Sequence, residues 1–480
     1  MTKDKHDSMS RRDFLKAAGV AGAAGATGII GQGALSAADE QQKSTGAQWS
    51  GKPGKYMRSV LPPKPSKVRR EIQEFVDQIL IIDTHEHLRS EEKYLADPRR
   101  SDFGLFVSHY TDTDLGSAGM SGADRGAVTS PDTPLDKKWD ILEPYWTKMR
   151  TTGYGWVKEL VIRGFYGLDG LSRKTYAELT KRIQAAHQPG FYKRILKDAA
   201  GIERAILDTG DVEKDPTLFS LALRVDGYIC IGRKADLARF EQLAGKPVDS
   251  PAVIKEAMHK QIADWKSRGI VAAKCAMAYS RTLRVENISD QNAQRALDAM
   301  LSKDDPGAVI PLQSYIFHQV LNACADNGMP LQIHTGILVG NNNSLERTNP
   351  LLIHEALAKH SNAKVDVFHA GYPWVSELGA MGKINTCVYA DLCWAHAISP
   401  SVANRALNEW LDAMPASKIL AFGGDYLFPE GSYGHSIIAR TNVADVLANR
   451  VENGRMSMAE AKRVAQMVLR DNAKELFGLA

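Results

Sequence analysis

The sequence predicts an α/β protein, a (β/α)8 TIM-like barrel with a helical insertion after strand 1. From Ile79 onward it holds eight apolar runs of strand length, most separated by stretches of helical apolar spacing. Repeated strand–helix alternation implies parallel strands joined by helical crossovers. Four of the runs end in His or Asp, three of them leading into glycine-containing loops. The C-terminal ends of the strands are where a barrel builds its site. A doubly wound open sheet is the alternative, weakened because no G-x-G-x-x-G follows the first strand.

The first 38 residues read as a signal. Ser10-Arg11-Arg12-Asp13-Phe14-Leu15-Lys16 precedes an Ala/Gly-rich run to Leu35 and small residues at Ala34–Ala38. The paired arginines followed by Phe and Leu are similar to the twin-arginine consensus. Many glycines argue against a stable helix there. Such substrates cross a membrane already folded, so the expected partner is the twin-arginine translocation machinery. The expected location is the periplasm or another extracytoplasmic space. Removing 1–38 takes away five Lys/Arg and three Asp, so the formal charge of +4 becomes +2. Residues 39–70, with Pro53, Pro62, Pro63 and Pro65, read as an extended leader, and 71–480 as the barrel.

Composition bounds the function. Of the 480 residues 44% are hydrophobic and 24% charged, which suits a large globular core. The charge is small, and no basic run is interleaved with aromatics, so nucleic acid is not an expected partner. Cys230, Cys275, Cys324, Cys387 and Cys393 form no C-x-x-C pair and read as buried thiols. Homo-oligomerisation stays open.

The elements follow in order. Glu71–Gln78 is a short helix feeding the strand Ile79–Ile82, which runs into Asp83-Thr84-His85-Glu86-His87. Residues 90–200 form the insertion, with amphipathic stretches at Lys137–Met149, Gly155–Phe165 and Ser172–Ala186 and a turn-rich Gly116–Pro134. The remaining strands are expected at Ile202–Asp208, Leu221–Tyr228, Ile270–Met277, Pro330–His334, Ala363–His369, Asn385–Leu392 and Lys418–Phe422. Helices are expected at Pro251–Arg268, Ser314–Asn327, Asn349–Lys359, Val375–Lys383, Pro400–Ala413, Val443–Arg450 and Met458–Phe477.

His85 and His87 lie at i and i+2, so an extended backbone projects both to one side, as half of a divalent-metal site. Strand five ends in His334, strand six in His369 and strand eight in Gly423-Gly424-Asp425. Alone, a strand-end His is usually a hydrogen-bonded structural residue and a Gly-Asp usually a turn. Four such ends on the rim where sites form favour a metal centre. Glu86 should point away from the two histidines. Asp391 reads equally as a pocket residue or a structural hydrogen bond. His354, His360 and His396 fall on or beside helices and read as core or solvated. A G-x-S-x-G elbow and a P-loop are both missing.

The order His-x-His, His, His, Asp on strands one, five, six and eight resembles the amidohydrolase superfamily. Leu331–Gly336, Val367–Trp374, Val388–Leu392, Gly423–Tyr426 and Asp471–Gly478 are similar to its amidohydrolase-related branch of hydrolases and nonoxidative decarboxylases. The resemblance spans Ile79 to Gly478 and is strongest from Gly269. His109-Tyr110 and Thr152-Gly153-Tyr154 resemble members with a helical cap, including uronate isomerases. The resemblance implies that His85, His87, His334 and Asp425 bind the metal. It makes Asp425 the proton acceptor and His369 either a ligand of a second ion or a group that polarises substrate. Zinc is the first choice, with Mn, Fe or Co as alternatives, as one or two ions. Lys274, inside an apolar strand, would be a carboxylated bridging ligand or a cation for a substrate carboxylate. A lysine snorkelling from the strand end ranks below these two together, because a lysine amid Ala, Cys and Met is rarely buried without a partner. Arg89, Lys274, Tyr279 and Arg281 make up the expected substrate side, and basic residues there imply a small acidic substrate.

The first expected function is a metal-dependent hydrolase that activates water to cleave a C–N or C–O bond. A decarboxylase or uronate-type isomerase on the same barrel is the alternative. A noncatalytic periplasmic binding protein is disfavoured because every expected ligand position is filled.

Overall fold

Eight strands form in the order that the apolar runs predict. The computed structural model describes residues 56–209 and 215–479; the twin-arginine segment and residues 39–55 of the leader lie outside them. The strands are β1 (Ile81–Glu86), β2 (Ile202–Leu207), β3 (Phe219–Arg224), β4 (Ala272–Cys275), β5 (Leu331–Ile333), β6 (Val365–Val367), β7 (Val388–Asp391) and β8 (Ile419–Leu420). Each pairs in parallel with its neighbour in sequence. The barrel closes through the chain just beyond β8. Thr84 N–H donates to Phe422 at 3.1 Å, Asp425 N–H to His85 at 2.8 Å and His87 N–H to Tyr426 at 3.1 Å.

The barrel interior is layered. Ile82, Ile206, Ala222, Ala272 and Leu420 form an apolar floor, closed by Ala473, Leu476 and Phe477 of the last helix, Asn472–Phe477. Small alanines on β3 and β4 leave room for that helix to seal the base. Arg224, Lys274, Gln332 and Asp366 are successive register partners on β3 to β6. Gln332 Nε2 reaches across the barrel to the Thr84 carbonyl at 2.9 Å, which places this polar belt inside.

Five expectations need correction. The helix expected from Glu71 begins at Lys67, inside the expected leader, because Ser66 Oγ caps it by accepting the Arg69 N–H at 2.9 Å, and the helix expected at Val443–Arg450 is the end of a longer one, Pro429–Glu452. β3 ends at Arg224, because Asp226–Ile229 turns helical and Asp226 Oδ1 accepts the Ala276 N–H at 2.7 Å beyond β4. The turn-rich Gly116–Pro134 contains a helix, Gly122–Thr129, capped by Ser121 Oγ accepting from Asp124 N–H at 3.0 Å. The closing helix is broken: Met458–Gln466 and Asn472–Phe477 flank a π-helical turn at Met467–Asp471.

The segment between β1 and β2 carries Leu135–Met149, Gly153–Gly164 and Tyr176–Ala186, among shorter helices. Glu430, in the first turn of helix Pro429–Glu452, ties this segment to the barrel. It accepts from Tyr94 Oη at 2.8 Å, Tyr166 Oη at 3.1 Å and His187 Nε2 at 2.8 Å, and is wholly buried. Burial alone would raise its pKa, but the bonds from His187 and Tyr94 outweigh that and hold it below the ordinary carboxylate value. Breaking such a buried cluster from one side costs roughly 3 kcal/mol or more. Glu430→Ala is therefore expected to lower the urea midpoint clearly. Because the folded pKa is depressed, this share of stability is complete above the unfolded value near 4.5 and is lost as pH falls through the lower folded value. Urea midpoints between pH 7 and pH 3 should converge for wild type and variant at the acid end; a constant gap would contradict the assignment.

Candidate metal centre

Each histidine of the cluster has one ring nitrogen committed to an oxygen and the other bare of hydrogen; His85 Nε2 meets the Lys274 ammonium at 3.4 Å and His369 Nε2 stands 2.9 Å from His334 Nδ1. His85 Nδ1–H donates to Gln332 Oε1 at 3.3 Å, since the Gln332 amide nitrogen is spent on Thr84 and Asp366. His87 Nδ1–H donates to the Asp208 carbonyl at 3.0 Å, and His369 Nδ1–H to the Cys393 carbonyl at 3.0 Å. His334 is the reverse, with Nε2–H on the Ile337 carbonyl at 3.1 Å. These acceptors set the tautomers, as outer partners do for metal-binding histidines. The bare Nε2 of His85, His87 and His369 lie 3.8, 3.1 and 4.0 Å from Asp425 carboxylate oxygens. Burial, and then the neighbouring charge of Lys274, hold His85 neutral; burial likewise keeps His334 and His369 uncharged. The neutral imidazoles of His85 and His369 face the Asp425 carboxylate as lone-pair donors rather than as ion-pair partners. N/O donors about 2.1 Å from an ion are roughly 3 to 3.5 Å apart; the His87–Asp425 separation of 3.1 Å falls in that range and those of His85 and His369 lie above it, so the fit to a divalent cation rests on the chemistry of the donors, imidazole nitrogen and carboxylate oxygen.

Asp208 and Arg224 join the site unanticipated. Asp208 Oδ2 lies 3.7 Å from His85 Nε2, and His85, His87 and Asp208 form a cluster spaced for a metal. Two carboxylates therefore flank His85 almost equally. Asp425 meets the unprotonated nitrogen of His87, whereas Asp208 faces the donating Nδ1 and is held by Arg224. The Arg224 guanidinium grips Asp208 at 2.8 to 2.9 Å, outweighing burial and lowering the carboxyl's pKa. Asp208 ends an expected strand and was legible; Arg224 was hidden inside a strand drawn four residues too long.

The expected substrate side divides. Lys274 is buried, its Nζ 3.4 Å from His85 Nε2 and 3.8 Å from the Phe368 ring centroid, so it does not snorkel. Burial lowers its pKa against the pull of Asp208 and Asp425. Tyr279 is also at the centre, its ring 4.8 Å from that of His334 and its hydroxyl 3.2 Å from that of Tyr110. Arg89 and Arg281 are not brought to the centre. Arg89 is exposed and lines a surface depression with Gly190, Tyr192 and Lys193. The Arg281 guanidinium is spent on Thr282, Gln313 and Arg284, because its own loop folds back over it.

The backbone here is strained. His109, His369, Ala370, Trp394 and Asp425 have φ between 54° and 65°, costing roughly 1 kcal/mol or more each. His369, Trp394 and Asp425 follow β6, β7 and β8, so the strain gathers on the rim where the ligands stand. Gly424 answers a separate need: a Cβ there would fall on Glu86 Oε1. Glu86 points away from the imidazoles and accepts the Tyr426 N–H at 2.8 Å. Asp391 is bound to Thr84 Oγ1 at 2.6 Å.

Fold and site together define a barrel enzyme with a metal-type ligand cluster at its C-terminal rim. Residues 234–479 match the family model described as Amidohydrolase, and the chain belongs to that family. Residues 8–28 match the twin-arginine translocation pathway signal sequence, which indicates export across a membrane. No helix among the described residues is long and apolar enough to cross one. Protein fluG of Emericella nidulans is 25% identical over 226 residues, 44% of this chain and 26% of that protein. The chain thus spans about a quarter of that curated relative. Among solved structures, glucuronate isomerase from Caulobacter crescentus has a TM-score of 0.70 at 17% identity, covering 89% of this chain and 97% of its own. Uronate isomerase from Thermotoga maritima has 0.67 at 14%, covering 86% and 98%. A protein from Lactobacillus casei described as a metal-dependent hydrolase has 0.56 at 19%, covering 85% and 97%. At these identities the likeness is one of fold.

Two outcomes are expected. Chelator should lower the melting temperature of wild type and not that of a His85→Ala/His87→Ala variant, because only a ligand of the native state shifts it. Gly424→Ala should reduce bound metal per chain at least tenfold by displacing Asp425, with circular dichroism unchanged; full metal content would show that the loop tolerates the Cβ.

Proposed function

We propose that this chain is an exported, periplasmic, metal-dependent hydrolase that cleaves a C–N or C–O bond of a small acidic compound. The observation that carries the reading is the placement of Asp425, with Oδ1 3.1 Å from the bare His87 Nε2 and Oδ2 4.0 Å from His369 Nε2. One carboxylate can thereby serve as ligand and as proton carrier. His85, His87 and Asp425 would hold the ion, zinc first and Mn, Fe or Co as alternatives; it would supply a Lewis acid and lower the pKa of water. Asp425 Oδ2 takes the proton lost by the attacking water and returns it to the leaving group.

His369 Nε2 and His334 Nδ1 are 2.9 Å apart, and both are bare by the partners of their other nitrogens. Two facing lone pairs are relieved by a second cation ligated by both rings, or by a proton that makes the pair an imidazolium against the pull of burial; with that proton His369 would polarise the substrate oxygen. Lys274 stands beside His85 as either a carboxylated ligand or a cation toward substrate, and Tyr279 closes the His334 side.

Isomerisation is the second reading, favoured by one observation: the likeness to glucuronate isomerase runs over 89% of the chain. Turnover in H2(18)O separates the readings. Metal-loaded protein is screened against small acidic amides, esters and lactones and against D-glucuronate. Hydrolysis puts one labelled oxygen into product. Conversion of D-glucuronate to its keto isomer, or release of carbon dioxide, would replace the hydrolase reading, and protein purified without chelator that lacks stoichiometric metal would remove its basis.

A further inference from the structure

Lys158 lies in helix Gly153–Gly164 of the insertion, wholly buried, and its ammonium has no hydrogen-bond partner. The rings of Tyr154, Tyr426 and Phe428 surround it, with centroids 5.2, 4.8 and 5.0 Å from Nζ. Cation–π contact offsets part of the loss of water, but a buried ammonium also seeks an oxygen. The nearby carboxylates are engaged elsewhere: Glu430 by Tyr94, Tyr166 and His187, and Asp114 Oδ2 by Thr152 Oγ1 at 2.7 Å. Burial drives the Lys158 pKa down to about 7, with Asp114 and Glu430 pulling against it.

Other polar atoms of this wall are buried without partners: His109 Nδ1, Tyr154 Oη, Tyr426 Oη and Trp394 Nε1. Their rings pack together, His109 to Tyr426 at 5.3 Å, His109 to Tyr154 at 6.3 Å and Tyr154 to Tyr426 at 6.0 Å. The cluster adjoins the metal centre. Lys158 and His87 both act on the His109 imidazole, and Asp425 acts on the hydroxyls of Tyr154 and Tyr426. Native proteins seldom leave several neighbouring buried donors unsatisfied, and where they do the explanation is commonly functional.

We propose that Lys158, with His109, Tyr154 and Tyr426, forms an anion subsite that binds the carboxylate of the substrate whose reacting end meets His85, His87 and Asp425. The proposal rests on the reading of the chain as a metal-dependent enzyme and gives it a substrate class, a compound carrying one carboxylate. A phosphate dianion is the poorer match, because Asp114 and Glu430 oppose a second negative charge. The role expected of Arg89 and Arg281 thus falls to a lysine of the insertion.

The test is calorimetric titration of the mature chain, with metal and after chelation, using glycolate, benzoate and D-glucuronate, each beside its neutral amide. At least one acid should bind at least tenfold more tightly than its amide. Lys158→Met should remove that preference, weakening the acid at least tenfold and leaving the amide unchanged. It should not lower the melting temperature, because an unpartnered buried charge is replaced by an apolar chain of similar length. A variant that melts like wild type yet keeps the preference within twofold would overturn the subsite, as would a wild type that prefers no acid. Should Lys158→Met not fold, Tyr154→Phe carries the test: at least threefold loss for the acid supports the subsite, and equal affinity overturns it. A preference that depends on Lys158 in the chelated chain supports the subsite even if wild type proves to hold no metal, so the two readings fail separately.

Discussion

Two buried carboxyls on β1 fix the backbone that follows β8. Asp83 Oδ1 accepts the Gly424 N–H at 2.9 Å and Glu86 Oε2 accepts the Tyr426 N–H at 2.8 Å, on either side of Asp425. Burial raises both carboxyls, Glu86 further by the charge of Asp83. Asp425 N–H itself donates to His85 at 2.8 Å. Three consecutive amides are thus pinned to the strand that carries the His-x-His. The left-handed φ of Asp425 is the geometric consequence, and it turns the carboxylate inward. Without the seam the barrel would lack both its closure and the inward carboxylate of Asp425.

Charge balance sets the next constraint. Asp208 and Asp425 bring two negative charges to the interior, and Arg224 and Lys274 bring two positive ones. Arg224 is committed to Asp208 through paired contacts, leaving Asp425 and Lys274 to face neutral imidazoles. An added dication would stand near the Lys274 ammonium, which is already 3.4 Å from His85 Nε2. The lowered pKa of Lys274 moves it toward the uncharged amine that such company requires. The lysine and the ion are therefore competing solutions to the same local field, and the second carboxylate is what allows both to be near it.

The order of strands was legible because each is a short apolar run bounded by polar or glycine residues, and because Pro, Ser and Gly mark the helices between them. That the candidate His and Asp residues share one rim was legible because a barrel puts strand ends on one rim, so position in a run converts directly into position in space. Arg224 was not, since the end of β3 depends on Asp226 reaching the Ala276 amide, a contact made by folding. The retreat of Arg281 into its own loop was equally invisible: a guanidinium near a strand end reads the same whether it faces a substrate or three protein oxygens. Lys158 gave no signal at all, because a lysine within an amphipathic stretch reads as a solvated face until the partner helix is known.

The segment Asp425-Tyr426-Leu427-Phe428-Pro429-Glu430 joins these parts. Asp425 is the candidate acidic ligand, Tyr426 and Phe428 are two walls around Lys158, and Glu430 receives Tyr94, Tyr166 and His187 from the insertion. Six consecutive residues therefore touch the seam, the ion site, the Lys158 pocket and the attachment of the insertion. Any shift of the insertion must be transmitted to Tyr426 and Phe428 through packed rings, and from Tyr426 to Asp425 through one peptide bond whose amide is held by Glu86. Through this link the Lys158 ammonium and the Asp425 carboxylate are set by one short segment whose amide at Tyr426 is held by Glu86. A fixed distance between an anion-binding group and a reacting centre selects substrates by length as well as by charge. The insertion thus supplies what a barrel rim of short loops lacks, a second point of contact set at a defined reach from the first.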